Sequence, residues 1–125
     1  MSTILVVDDD KGMLRILELL LTRAHYQVVL AKDGITALDA IRQQRVDLIL
    51  MDDMMPGGLS GIDACRLIKS SPEWKHIPIV IHSAGPDILD QQLLLSIGAV
   101  SALRKPCEPQ VILETVAKTL ASVHH

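Results

Sequence analysis

Phenylalanine is absent from this 125-residue chain, and Trp74 and Tyr26 are the single members of their types. Without a set of rings, no base-stacking platform for single-stranded nucleic acid can be built. Basic residues are not in excess either. Twelve lysines and arginines stand against 15 acids, for a formal charge of −3, and no basic stripe marks a nucleic-acid surface. Cysteine is scarce: Cys65 and Cys107 are the only two, too few and too widely spaced for a disulfide scaffold or a metal knuckle. No uninterrupted apolar run approaches the roughly 18 residues of a membrane span. The opening Met1-Ser2-Thr3-Ile4 lacks the basic region of a secretory signal. The expectation is a cytoplasmic protein with no membrane segment and no direct nucleic-acid partner.

What is present is a large apolar fraction, 49% against 22% charged, enough to bury one core in one domain over residues 1–125. Ile4-Leu5-Val6-Val7 is a short apolar run of the kind buried on both faces of a sheet, and it ends in Asp8-Asp9-Asp10. Met13, Leu14, Ile16, Leu17, Leu20 and Ala24 then recur with a helical period over residues 11–24. The cycle continues with strands at 26–30, 46–51, 77–81 and 99–103. Helices are predicted around Ala37, Leu38 and Ile41, and over 60–71, 87–97 and 108–121. Ile62, Cys65, Leu67 and Ile68 form the inner stripe of the third helix. Leu89, Leu93 and Ile97 form that of the fourth, with Leu94 and Leu95 widening its apolar arc, as in a deeply embedded helix or one that offers a partner or dimer face. Five strands alternating with five helices imply right-handed βαβ crossovers and a doubly wound, parallel α/β sheet.

Ligands of such sheets bind beyond the carboxyl ends of the strands. Those ends read Asp8-Asp9-Asp10, Asp52-Asp53, Ser83-Ala84 and Arg104-Lys105-Pro106. One aspartate after one strand is an ordinary loop or cap residue, whereas acids after two strands, a hydroxyl and a lysine at one edge are a site. Two carboxylates about 5 Å apart repel by roughly 3 kcal/mol at an effective dielectric near 20, so a positive group must offset Asp8, Asp9 and Asp52. Mg²⁺ fits, being a hard ion that takes oxygen ligands and keeps its remaining waters. With Lys105 as a second positive charge and Ser83 as a donor, the pocket suits receipt of a phosphoryl group by a carboxylate.

The segments Ile4-Leu5-Val6-Val7-Asp8-Asp9, Met51-Asp52-Asp53-Met54-Met55-Pro56, Ser83-Ala84 and Lys105-Pro106 together resemble the bacterial response regulator receiver domain over essentially the whole chain. The resemblance implies a flavodoxin-like (βα)5 fold with strand order 2-1-3-4-5. It implies Asp52 as phosphoacceptor, Asp9 as a direct Mg²⁺ ligand, Asp8 as a ligand largely through water, and the Met54 carbonyl as a third protein ligand. Ser83 matches the hydroxyl that contacts the phosphoryl group, Lys105 matches the family's lysine, and the Lys105-Pro106 bond is expected to be cis. The donor would be a sensor histidine kinase, a phosphotransfer protein or a small phosphodonor. The output would be a homodimer or output-partner contact through residues 87–104.

Several residues depart from that pattern or stand beside it. Pro56-Gly57-Gly58-Leu59-Ser60-Gly61 places a glycine five positions after the proline, where the family usually has four. Ala102 stands at the family's fifth-strand aromatic, so switching is expected to be confined to residues 83–98. Asp10 is expected to cap the first helix, and Asp53 to point away from Asp52, exposed to solvent or in a local structural role. Cys107 is expected to be buried as a small apolar residue, and His82 to lie near the site without being a ligand. Two other functions compete: a receiver-like binding module that is never phosphorylated, and a metal-dependent phosphatase, for which the chain offers no substrate-binding cap.

Overall fold

A computed structural model of the chain describes residues 1–53, 55, 58–85 and 90–123. Five strands, β1 (Thr3–Val7), β2 (Gln27–Ala31), β3 (Leu48–Met51), β4 (Ile79–Ser83) and β5 (Ser101–Arg104), alternate with five helices. These are α1 (Lys11–Arg23), α2 (Gly34–Gln43), α3 (Gly61–Ser70), α4 (Gln91–Ile97) and α5 (Pro109–Val123). All strand pairs are parallel and the order is β2-β1-β3-β4-β5, the expected doubly wound sheet.

Alternation of side chains across the pleat divides the core in two. Leu5, Val7, Ile49, Met51, Ile79 and Ile81 face α2, α3 and α4, meeting Ala37, Ile41, Cys65, Ile68, Leu94 and Ile97. Ile4, Val6, Leu48, Leu50, Val80 and Leu103 face α1 and α5, where Leu14, Leu17, Leu21, Ile112, Val116 and Leu120 complete the layer. The three central strands are buried along their entire length, which is why their sequences are apolar runs rather than alternating patterns.

The helix starts are written locally. Asp10 caps α1 by accepting from the Gly12 and Met13 amides at 2.8 and 3.4 Å, as expected. Asp33 caps α2 through the Thr36 amide at 2.7 Å, Ser60 caps α3 through the Asp63 amide at 3.1 Å, and Asp90 caps α4. Each side chain satisfies an amide that the first helical turn leaves unpaired.

The structure corrects several details. β4 begins at Ile79, two residues later than expected, and runs through His82 and Ser83. The apolar run misled at both ends, because Pro78 has no amide to give a ladder and the polar residues of the sheet edge remain in the strand. β5 is likewise shifted to Ser101–Arg104. Ile16 and Leu67 are exposed, and the true inner stripes are Leu14, Leu17 and Leu21 in α1 and Ala64, Cys65 and Ile68 in α3. In α4, Leu94 and Ile97 point inward, Leu93 is half-buried and Leu95 is 78% exposed. Leu93 and Leu94 both meet the core, and the helical turn carries Leu95 out of it. Leu89 lies outside the described residues, as do Pro56 and Gly57.

The cap on α2 gives a pH-dependent prediction. The hydrogen bonds from Thr36 hold the Asp33 carboxyl below its ordinary 3.8, so its charge-dependent contribution is complete well above that value and is lost as pH falls through the lower folded value. Asp33→Ala is expected to cost about 1 kcal/mol in urea unfolding at pH 7, and the difference from wild type should shrink toward pH 2.

Candidate functional site

The switch in strand order falls between β1 and β3, which leave the centre of the sheet side by side with Val7 paired to Met51. The next residues of the two strands are Asp8 and Asp52, and the Asp52 amide still donates to the Val7 carbonyl at 2.9 Å. Alternation places both side chains on the α1/α5 face, following Val6 and Leu50. They are 1% and 4% exposed, while Asp9 is exposed at the rim. One oxygen from each of Asp8, Asp9 and Asp52 lies within 4.8 Å of the others.

Lys105 reaches this cluster from beyond β5. Its Nζ donates to Asp8 Oδ2 at 2.9 Å and stands 3.5 Å from Asp52 Oδ1. Burial alone would lower the pKa of the ammonium, but the Asp8 hydrogen bond and the Asp52 charge outweigh it and hold it above the ordinary lysine value. The lysine is aimed by its backbone: the Lys105 amide donates to the Ser83 carbonyl at 2.8 Å, and the Lys105–Pro106 peptide is cis, as expected. Asp8 is fixed further by the Asp10 amide, which donates to its Oδ1 at 2.9 Å.

Ser83 ends β4 fully buried, its Oγ accepting from the Gly85 amide at 2.9 Å. That bond ties the hydroxyl to the start of the following loop, of which residues 86–89 lie outside the described residues. Met54, expected to supply a carbonyl ligand, also lies outside them. Asp53 points away from the cluster, as expected, but it is half-buried with Oδ1 lacking a hydrogen-bond partner. Its charge acts on Cys65, whose thiol is pushed up to about 12, chiefly by burial. Cys107 is half-exposed rather than buried. Its thiol pKa is raised by partial burial and by the neighbouring Glu108 charge, so the helix terminus does not activate it.

Two residues have a part in the site that sequence reasoning did not read, Gly61 and His82, the latter expected only to lie near it without being a ligand. A Cβ on Gly61 would overlap the carbonyl oxygen of Asp52, so this glycine lets the start of α3 close against the strand end that carries the carboxylate. The signal was the glycine itself, read only as an offset from Pro56. The second is His82. Met51 pairs with Ile81, so His82 is the residue across from Asp52 in the neighbouring strand, on the same face. Burial and the Lys105 charge push its imidazole down to about 4, and it is neutral at neutral pH.

The donor set suits a divalent ion: three carboxylates within reach of one point, two of them buried and one open to solvent, all of them hard oxygen ligands. Lys105 supplies positive charge that lets Asp8 and Asp52 stand together.

A parallel βα sheet with clustered carboxylates, a hydroxyl and a lysine at its carboxyl edge is the frame of a phosphoacceptor signalling switch, whose acidic pocket generally binds Mg²⁺. The model of the response regulator receiver domain matches residues 4–117, and the chain belongs to that family. The DNA-binding response regulator MtrA of Mycobacterium tuberculosis is 37% identical over 117 residues, which are 94% of this chain and 50% of MtrA. Response regulator PleD of Caulobacter vibrioides is 40% identical over 115 residues, 92% of this chain and 25% of PleD. The chain thus spans half or less of the length of these relatives. Among solved structures, chemotaxis protein CheY4 of Vibrio cholerae superposes with a TM-score of 0.87 at 28% identity, covering 94% of this chain and 98% of that one. The signal receiver domain of a histidine kinase from Syntrophus aciditrophicus gives 0.89 at 29% identity, covering 98% and 92%. Receiver domains of this family work with histidine kinases or phosphotransfer proteins. Among the described residues no helix is long and apolar enough to cross a membrane.

Two outcomes follow for stability. Gly61→Ala is expected to cost about 3 kcal/mol in urea unfolding, because the neighbour it meets is backbone. For His82 the folded value lies below the ordinary 6.5, so only the unfolded chain takes up a proton between pH 6.5 and about 4. Stability should therefore fall across that window as pH is lowered, and the ring ¹⁵N signals of the folded chain should titrate near 4 rather than 6.5.

Proposed function

We propose that Asp52 is the phosphoacceptor of this domain and that Asp8, Asp9 and Asp52 hold the Mg²⁺ on which the transfer depends. The observation that carries this reading is the convergence of the three carboxylates with Lys105 at the strand-order switch. In the transfer an Asp52 carboxylate oxygen attacks phosphorus in line, and the bond from phosphorus to the donor's histidine nitrogen, or to the acetyl oxygen of acetyl phosphate, breaks as the new P–O bond forms. The ion supplies charge to offset repulsion between the incoming phosphoryl oxygens and the acids. Asp52 is the nucleophile because it is central and buried between Asp8 and β4. Lys105 is close enough to exchange its hold on Asp8 for a phosphoryl oxygen, and the Ser83 hydroxyl can donate to another.

The whole reading is of a single domain over residues 1–125 that takes its phosphoryl group from a histidine kinase or phosphotransfer protein in the cytoplasm and signals by protein contact. The α4–β5 surface suits that outward contact. Leu95 and Val100 are exposed there, beside a depression of about 230 Å³ walled by Leu94, Ala99 and Ala102. Residue 102 contributes only a methyl group to its wall. The reading of a receiver-like module that is never phosphorylated is less favoured, since the nucleophile, the acids, the hydroxyl and the lysine are all in place. No observation favours the phosphatase reading.

Incubation with acetyl phosphate and Mg²⁺ is expected to add one phosphoryl mass to the wild-type chain. Asp52→Asn should abolish the adduct and chelation of the ion should suppress it. An Asp52→Asn chain labelled as fully as wild type would remove Asp52 from its role.

A further inference from the structure

His82 is 2% exposed, and neither ring nitrogen has a hydrogen-bond partner. Its neighbours on the α1/α5 face, Val80 and Leu103, are apolar, so a leucine here would complete the layer with no polar atom left unpaired. A buried polar group without a partner is costly, and this one stands among the reacting groups. It lies across from Asp52 on one side and pairs with Leu103 on the other. Lys105 follows Leu103 by two residues and so starts on the same face. The lysine amide is tied to the carbonyl of Ser83, the residue after His82, and the lysine charge acts on the imidazole. A neutral imidazole keeps one nitrogen as an acceptor.

The Lys105 ammonium has three N–H donors, and the structure aims them at Asp8 and Asp52. A divalent ion in the pocket competes with the ammonium for the oxygens of Asp8. We propose that His82 is a positioning residue for Lys105: when the ion draws on Asp8, an imidazole nitrogen accepts the N–H that Asp8 releases and keeps the ammonium beside Asp52. No proton changes owner; one hydrogen bond replaces another. The acceptor is uncharged, so it orients the lysine without neutralising the charge that the incoming phosphoryl group needs. This inference rests on the reading that the acidic pocket takes a divalent ion.

The test uses the full chain as wild type, His82→Leu and His82→Gln, with Mg²⁺ alone as the probe. In wild type, the His82 ring ¹⁵N signals should move as the ion is titrated in. His82→Leu should bind Mg²⁺ roughly three- to tenfold more weakly, while unfolding at a higher temperature than wild type because the unpaired nitrogens are gone. His82→Gln, which restores an acceptor, should recover most of the affinity. A purely structural histidine would not produce opposite changes in stability and ion affinity. Ring signals that stay fixed while wild type binds the ion would overturn the inference, and this measurement needs no variant to fold. Wild-type affinity in His82→Leu would overturn it equally. Both results leave the metal pocket standing, whereas a wild-type chain that binds no Mg²⁺ sinks the pocket and this inference together.

Discussion

Two buried carboxylates, Asp8 and Asp52, are held side by side at the centre of a parallel sheet, and the Lys105 ammonium spans them at 2.9 and 3.5 Å. Everything around the site serves that contact. The sheet order brings β1 and β3 together, the Asp10 amide fixes Asp8, and Gly61 lets α3 close behind Asp52. The link from β5 to β4 at Ser83 aims the lysine. Each carboxylate alone would be a costly buried charge, and the lysine balances them in a way that an ion can take over.

That exchange connects structure to signalling. Ser83 and Lys105, the groups proposed to meet the phosphoryl group, lie at and just beyond the ends of β4 and β5, and β5 with α4 carries the surface around Leu95, Val100 and Ala102. A movement of Lys105 or Ser83 is therefore one strand length from the outward face. With alanine at position 102, the depression on that face is lined by no aromatic ring whose rotation could carry a change.

Much of this was legible in the sequence. The apolar runs ending in Asp8-Asp9, Asp52-Asp53, Ser83 and Lys105 place acids, hydroxyl and lysine at one edge before any coordinate is known, because a parallel sheet sends all strand ends the same way. What the sequence hid was lateral. Ile16 and Leu67 sit on a helical period yet are exposed, since an apolar residue at the right spacing does not say which way the helix turns. His82 read as a strand end near the site, and only the β3–β4 register makes it a neighbour of Asp52. Gly61 read as a displaced family glycine, and only the backbone of Asp52 shows what it makes room for.

The central claim, that among the clustered acids Asp52 alone takes the phosphoryl group, is tested most directly by chemical trapping. Treating the acetyl phosphate-labelled chain with borohydride reduces an aspartyl phosphate to homoserine, and peptide mass mapping then locates the change. The account predicts homoserine at position 52 and unaltered aspartate at positions 8, 9 and 53. Reduction at any of those three instead, or none after a phosphoryl adduct has been seen, would contradict it.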